Sequence, residues 1–308
     1  MAWEKQGHIF DPREHKAWAG SHAQVPAVLV KDNVFRIYYA DRHEDNRSFP
    51  TYLDVDRGNP SRVVYYHKKP ILLYGKPGTF DDDGIMPASV LEHEGKVYMY
   101  YSGWNRGVSV PYRNATGLAT STDGGDTFAR VFEGPILERN PEEPYVAVTP
   151  WVMKEKSFWR AWYISGLSWE EIDGTLEPVY VIKYAESADG MHWNRPNIIS
   201  VPQKHDLEAF SHPCVVVRNG MYCMWYSYRC SHDYRDGKGS YRMGYAESKD
   251  GVRFARRDEQ AGITVSPEGW DSTMICYPYV VEADGKMYLF YNGNGFGKTG
   301  IGYALWKR

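Results

Sequence analysis

Acid and base groups recur at one kind of position in this chain. Asp83 lies four residues before Pro87 and Glu208 five before Pro213, and each proline opens an apolar run, Pro87-Ala-Ser-Val-Leu and Pro213-Cys-Val-Val-Val. His22 and His212 stand just ahead of the matching Pro26 and Pro213. A pair of carboxyl groups can protonate a leaving oxygen and activate a nucleophile across a glycosidic bond, and nearby imidazoles can act as acid, base or ligand. The plainer reading of Asp81, Asp82 and Asp83 is a solvated turn, and that of a single histidine is a satisfied structural group. A second set has the chemistry of a sugar platform: Gln24, Asp41, Arg42, Trp104, Arg113, Thr149, Arg229, Arg242, Asp271 and Tyr277. Flat aromatic faces stack on sugar C–H groups while amide, carboxylate and guanidinium groups pair with hydroxyls. Arg42, Arg106, Arg113, Arg229 and Arg242 could grip a carboxylate or phosphate bidentately, or could pair on a rim with Asp41, Asp233 or Asp236. No cofactor is expected. The alternative is a divalent ion among His22, His43, Glu208, His212 and either His232 or Asp233, although no HxH or HExxH spacing supports it.

The elements that must position these groups are set by a repeat. Gly117-Leu-Ala-Thr-Ser-Thr-Asp-Gly, Tyr184-Ala-Glu-Ser-Ala-Asp-Gly and Tyr245-Ala-Glu-Ser-Lys-Asp-Gly are copies of one phrase, with weaker copies at Tyr52 and Tyr303, spaced 58–66 residues apart. Each unit begins with a proline and an apolar run, turns at a pair such as Asn219-Gly220 or Asp284-Gly285, and continues into a Tyr-rich alternation such as Val97-Tyr-Met-Tyr-Tyr or Met287-Tyr-Leu-Phe-Tyr. These are strands joined by tight hairpins. The repeated phrase supplies a third strand with its Asp-Gly turn, and a short fourth follows. The chain is therefore predicted to be all-β: a single five-bladed β-propeller over residues 1–308, built of four-stranded antiparallel blades, with Trp3-Glu-Lys-Gln-Gly-His-Ile-Phe completing the last blade. Most of the 25 Tyr and 11 Trp then belong between blades, leaving residues such as Trp104 and Trp169 for a ligand. Gly293-Asn-Gly-Phe-Gly leaves a strand and is not a dinucleotide loop.

The proline-anchored first strands, Tyr-rich second strands and Ala-x-Ser-x-Asp-Gly turns resemble the five-bladed propeller glycosidases, the superfamily of arabinanases, invertases and levansucrases, over essentially the whole chain. Gly84-Ile-Met-Pro-Ala-Ser, Tyr100-Tyr-Ser-Gly-Trp-Asn and Phe290-Tyr-Asn-Gly-Asn-Gly-Phe-Gly also resemble uncharacterised members described as glycosyl hydrolases and associated with surface-polysaccharide genes. The resemblance implies a site in the central funnel. It also implies an Asp directly before the first-strand proline in blades one and three, and a Glu two residues before it in blade four. Those positions here are Val25, Thr149 and Ser211, none of which can act as a carboxylic acid or carboxylate. Either the carboxylates have moved, with Asp83 and Glu208 as the pair and His22 and His212 assisting, or the reaction differs, or the propeller only binds. The expected function is a glycoside hydrolase-like enzyme acting on a small, anionic or nucleotide-linked sugar. A non-catalytic sugar-binding propeller and a transferase or phosphorylase are the alternatives.

Composition narrows the partners. In 308 residues, 36 Lys and Arg against 39 Asp and Glu leave a formal charge of −3, so no global field gathers nucleic acid or an anionic membrane. A small carbohydrate or sugar conjugate is the expected partner, with no nucleic acid and no membrane. Cys214, Cys223, Cys230 and Cys276 lack CxxC spacing, and the opening residues lack the apolar run of a secretion signal, so free thiols and a cytoplasmic location are expected.

Overall fold

The computed structural model describes residues 2–235 and 237–307. Asp236, considered above as a rim partner, lies outside the described residues. The fold is all-β, and the strands follow one another as antiparallel meanders. The first is Ala23–Val30, Val34–Arg42, Ser48–Asp56 and Val63–Tyr66. The second is Gly84–His93, Lys96–Arg106, Tyr112–Ser121 and Ala129–Arg130. The third runs Ala147–Lys154, Trp159–Ile172 and Thr175–Ser187, whose outer edge takes both Trp193–Asn194 and Ile199–Val201. Next come Glu208–Arg218, Met221–Cys230, Arg242–Ser248 and Ala255–Arg256. The last meander is Cys276–Ala283, Lys286–Asn292 and Ile301–Lys307, and the N-terminal strand Ala2–Phe10 lies antiparallel on it with Trp3 opposite Trp306.

Local chemistry explains the hairpins. Glu94-Gly95, Asn219-Gly220 and Asp284-Gly285 all take positive φ at both turn positions, the geometry whose twist matches that of the strands. The Ser-x-Asp-Gly phrase is a second turn device: Asp189 Oδ1 accepts from the Met191 and His192 N–H groups, and Asp250 Oδ1 from those of Val252 and Arg253. The glycine that follows serves the neighbouring meander. Tyr38 Oη donates to the Gly125 carbonyl at 2.8 Å, Tyr100 Oη to Gly190 at 3.0 Å and Trp162 Nε1 to Gly251 at 2.8 Å. A Cβ at Gly125, whose φ is +87°, would meet Tyr38 Oη at 2.1 Å, so both its conformation and its neighbour require glycine. The second-strand aromatics thus join consecutive meanders as well as fill the core.

Register also separates the cysteines. Cys214 faces Trp225 and Cys223 faces Val216, and all four thiols are free. No helix among the described residues is long and apolar enough to cross a membrane.

The N-terminal strand covers the edge of Ile301–Lys307, and its Trp3 is 5 % exposed against the rings of Trp225 and Trp306. Deleting residues 2–10 exposes that edge and the apolar surface beneath it. The expected outcome is a large fall in the thermal unfolding midpoint, together with concentration-dependent association. An unchanged midpoint would show that the last meander does not need this strand.

Candidate functional site

The first strands do not run straight. The residue before the proline takes a left-handed conformation at Val25, Thr149, His212 and Tyr277, with φ of 55°, 51°, 46° and 56°. At each of these places the pairing register slips, between Gln24 and Ala27, Val148 and Trp151, Ser211 and Cys214, and Cys276 and Tyr279. These are β-bulges, which break the two-residue alternation and re-aim side chains. For β-branched Val25 and Thr149 the conformation is strained. It is held by neighbours: Asn292 Oδ1 accepts from the Val25 N–H at 2.8 Å, Ser227 Oγ accepts from the Tyr277 N–H at 2.8 Å, and Ser102 Oγ lies 3.0 Å from Thr149 Oγ1.

The bulges surround a cavity of about 530 Å³ to which every meander contributes. Successive residues Gln24 and Val25, and Val148 and Thr149, line it together, as the broken alternation requires. The remaining wall is mostly aromatic and basic. Trp104, Tyr112, Tyr180, Tyr234, Tyr241 and Tyr277 stand with Arg42, Arg106, Arg229 and Arg235, and Phe296 closes one side from a left-handed position with φ of 59°. No Asp, Glu or His lines this cavity among the described residues. Four buried polar atoms in its wall have no protein partner: Gln24 Oε1, Arg42 Nε, Asn114 Oδ1 and Arg229 Nε. Groups of this kind imply a polar counterpart supplied from outside the chain.

The structure gathers only part of the set expected from sequence. Gln24, Arg42, Trp104, Thr149, Arg229 and Tyr277 share the cavity. The expected acids and bases stand outside it, each for a physical reason. Glu208 is 2 % exposed and forms a two-point ion pair with Arg256, at 2.6 and 2.7 Å, while also accepting from the Lys204 N–H. Asp83 accepts from the Arg106 N–H at 2.8 Å and so shapes the loop that carries that arginine. His22 Nδ1 meets Ser21 Oγ, and burial, with Arg42 and Lys298 nearby, pushes its pKa down to about 4. His212 is buried between meanders, its ring nitrogens 3.1 Å from the carbonyl oxygens of Pro278 and Ala88, and a neutral ring can donate to only one of them.

Four of the expected sugar-binding residues are likewise occupied elsewhere. Asp271 pairs with Lys5 at 2.6 Å and accepts from Tyr291 Oη at 2.9 Å. Asp41 is buried, accepts from the Gly20 N–H, and has its pKa raised to about 6 by burial. Arg242 donates to the carbonyls of Ser240, Tyr241 and Thr273, and Arg113 lines a separate hollow with Glu133, Glu138 and Arg139. The metal alternative meets the same obstacle, since Glu208 and His212 are committed to protein partners, and among the described residues no three His, Cys, Asp or Glu side chains gather to hold an ion.

Sequence reasoning missed Tyr112, Asn114 and Tyr180, which lie on third strands, and Tyr234, Arg235 and Tyr241, which come from the loop after Cys230. The third strands and the loops before them differ in length from unit to unit, so no repeat marks these residues. The only available signal was the tyrosine excess itself.

With this geometry in place, comparison defines the class first. The chain superposes on a solved glycoside hydrolase with a TM-score of 0.76 at 18% identity, covering 99% of this chain and 92% of the other. A thermostable family-43 glycoside hydrolase gives 0.67 at 18% identity, with coverage of 92% and 88%. A GH130-family structure, from work on mannoside phosphorylases and on glycoside hydrolases that target β-1,2 mannosidic linkages in Candida mannan, gives 0.71 at 17% identity, with coverage of 99% and 94%. The fold is that of the propeller-type glycosidases. In sequence, the chain is 36% identical over 307 residues to an uncharacterised protein of Mycobacterium tuberculosis strain CDC 1551 / Oshkosh, covering 99% of both, and equally to one from strain ATCC 25618 / H37Rv. It belongs to the family of these uncharacterised proteins. No family model matches the chain.

Two measurements test the reassigned groups. Glu208→Gln removes one of the two carboxylates, Glu208 and Asp258, that compensate the buried cluster around Arg256, so stability should fall on the order of 2–3 kcal/mol in denaturant titration. An unaltered midpoint would argue against a structural role. For His212, burial pushes the pKa from 6.5 down to about 4, so across that window the unfolded chain binds more protons than the native one. Stability should therefore be fully present above the upper value and decline as pH falls, by at most about 3 kcal/mol. His212→Asn, which accepts left-handed backbone, should flatten this part of the pH profile. An unchanged slope would remove His212 as its source.

Proposed function

We propose that the chain is a single domain over residues 1–308, a β-propeller of five blades, and that it takes a carbohydrate in the cavity encircled by the first-strand bulges without cleaving it by the two-carboxylate route. The observation that carries this reading is the set of orphaned polar atoms in an aromatic wall. Gln24 Oε1 and Asn114 Oδ1 are acceptors suited to sugar hydroxyls, and Trp104 offers a flat face whose Nε1 is already bonded to Ser48 Oγ at 3.0 Å. The volume of about 530 Å³ suits a small sugar or sugar conjugate. At the positions where related propellers hold carboxylates, Val25, Thr149 and Ser211 can shape and hydrogen-bond but cannot supply a general acid. A second reading, group transfer or phosphorolysis on the same scaffold, is favoured by the open guanidinium donors of Arg42.

Calorimetry with the full chain and a panel of mono- and oligosaccharides, run beside assays for released reducing sugar, tests the proposal. The expected result is saturable binding with no hydrolysis over long incubation, weakened at least tenfold by Trp104→Ala, which is about 1.4 kcal/mol. Hydrolytic turnover abolished by Asp83→Asn would restore the acid/base route. Turnover only with added phosphate would select the second reading. Absence of any sugar binding would overturn both.

A further inference from the structure

The four cavity arginines fall into two kinds. Arg235 is neutralised by Glu177, with its Nη2 2.8 and 3.1 Å from the two carboxylate oxygens, and Arg106 is tied to Asp83 and to the Asp45 carbonyl. Arg42 and Arg229 meet no carboxylate among the described residues. Arg229 is 3 % exposed and stacks on the Tyr234 ring at 3.7 Å. Its Nη1 donates to the Cys230 carbonyl and Ser231 Oγ and its Nη2 to the Pro178 carbonyl, leaving Nε without a partner. The Arg42 guanidinium has no side-chain bond among the described residues, and burial lowers its pKa from the ordinary value. Both arginines border the same pair of rings: Tyr277 and Tyr241 have centroids 5.9 Å apart, Tyr277 is beside Arg42, and Tyr241 is 5.7 Å from the Arg229 guanidinium.

A guanidinium charge in a low-dielectric wall without an acid is costly unless a counter-charge arrives. At Arg229 burial opposes the charge, but Tyr241, Tyr234 and Tyr180 offset it and hold its pKa above the ordinary value, whereas nothing does so fully at Arg42. Arg forks match tetrahedral and planar oxyanions, and two uncompensated charges match a dianion better than a single carboxylate. We infer that Arg42 and Arg229 form a seat for a dianionic phosphoryl group, carried by the sugar as a phosphate monoester or as the pyrophosphate of a nucleotide conjugate. The sugar moiety then extends toward Gln24, Asn114 and Trp104. This rests on the carbohydrate reading above and specifies the charged part of its ligand.

The test uses the full chain at low ionic strength and pH 7.5, titrated with pyrophosphate, hexose and pentose 1-phosphates, nucleoside-diphosphate sugars, uronic acids and the neutral parent sugars. Pyrophosphate and at least one phosphorylated sugar should bind, weaken with added salt, and lose at least tenfold in affinity in Arg42→Gln, a change that disturbs no bond within the protein. Arg229→Lys should lose a comparable factor. Arg113→Gln, in the separate hollow, should match the parent. The two sources separate by pH: a monoester loses affinity below its second pKa near 6, whereas a pyrophosphate diester does not. Binding of uronic acids but not phosphoryl compounds through Arg42 would overturn the dianion assignment. Neutral-sugar binding that ignores Arg42→Gln, with no pyrophosphate binding, would overturn the seat and leave the carbohydrate reading standing. Failure of every probe would overturn both.

Discussion

The rest of this molecule depends on hydrogen bonds that pass from one meander to the next. At one level, second-strand aromatics reach the glycine carbonyl of the neighbour's Asp-Gly turn, as Tyr38, Tyr100 and Trp162 do. At another, Ser227 and Asn292, in the later part of second strands, hold the first-strand bulges of the following meander, and Asn292 does so from the last meander to the first. Antiparallel pairing alone would let each meander slide or tilt against its neighbour. Buried polar bonds at two heights resist that movement, because breaking any of them leaves an unsatisfied group costing roughly 1–3 kcal/mol. The strained conformations of Val25 and Thr149 are tolerable only inside such a frame.

The same frame consumes acidic groups. In most meanders a buried carboxylate accepts from the second-strand tyrosine and faces a cation: Asp81 with Tyr101 and Arg130, Glu143 with Tyr163 and Lys183, Asp258 with Tyr226 and Arg256, Asp271 with Tyr291 and Lys5. Each joins the loop before a first strand, or the segment just after a fourth strand, to a second strand. Carboxylates locked in this way are structural members and not proton carriers. Two arginines remain in the cavity wall without an acid, so a chain with a formal charge of −3 presents a locally cationic site. The net charge said nothing about this, since it averages over pairs that cancel within the frame.

On the proposed reading, what separates this chain from the two-carboxylate hydrolases its sequence resembles is confined to a few positions. Val25, Thr149 and Ser211 line the cavity at or beside its bulges, where the resemblance implies acids, and none of the three can exchange a proton at ordinary pH. A shared architecture leaves the chemistry to be set by the site, since one fold hosts many functions.

The strands, their order, the tight Asn-Gly and Asp-Gly hairpins and the docking of Trp3-Glu-Lys-Gln-Gly-His-Ile-Phe on the last meander were legible in the sequence, because all follow from local periodicity and turn chemistry repeated along the chain. Gln24, Arg42, Trp104, Thr149, Arg229 and Tyr277 were also legible as candidates, since they lie at two recurrent places in the repeat, just before a first-strand proline or toward the end of a second strand. The fates of Asp83, Glu208, His22 and His212 were not. Whether a carboxylate faces a cavity or an Arg256 depends on a partner 48 positions away, and no spacing rule encodes that distance. Nor could alternation reveal Tyr112, Tyr180, Tyr234 or Tyr241, which reach the cavity from third strands and preceding loops of unequal length. The sequence by itself determined the repeated strand architecture; only the tertiary structure decided which charges are spent within the frame and which are left to meet a ligand, because ion pairing depends on distance through space and not on distance along the chain.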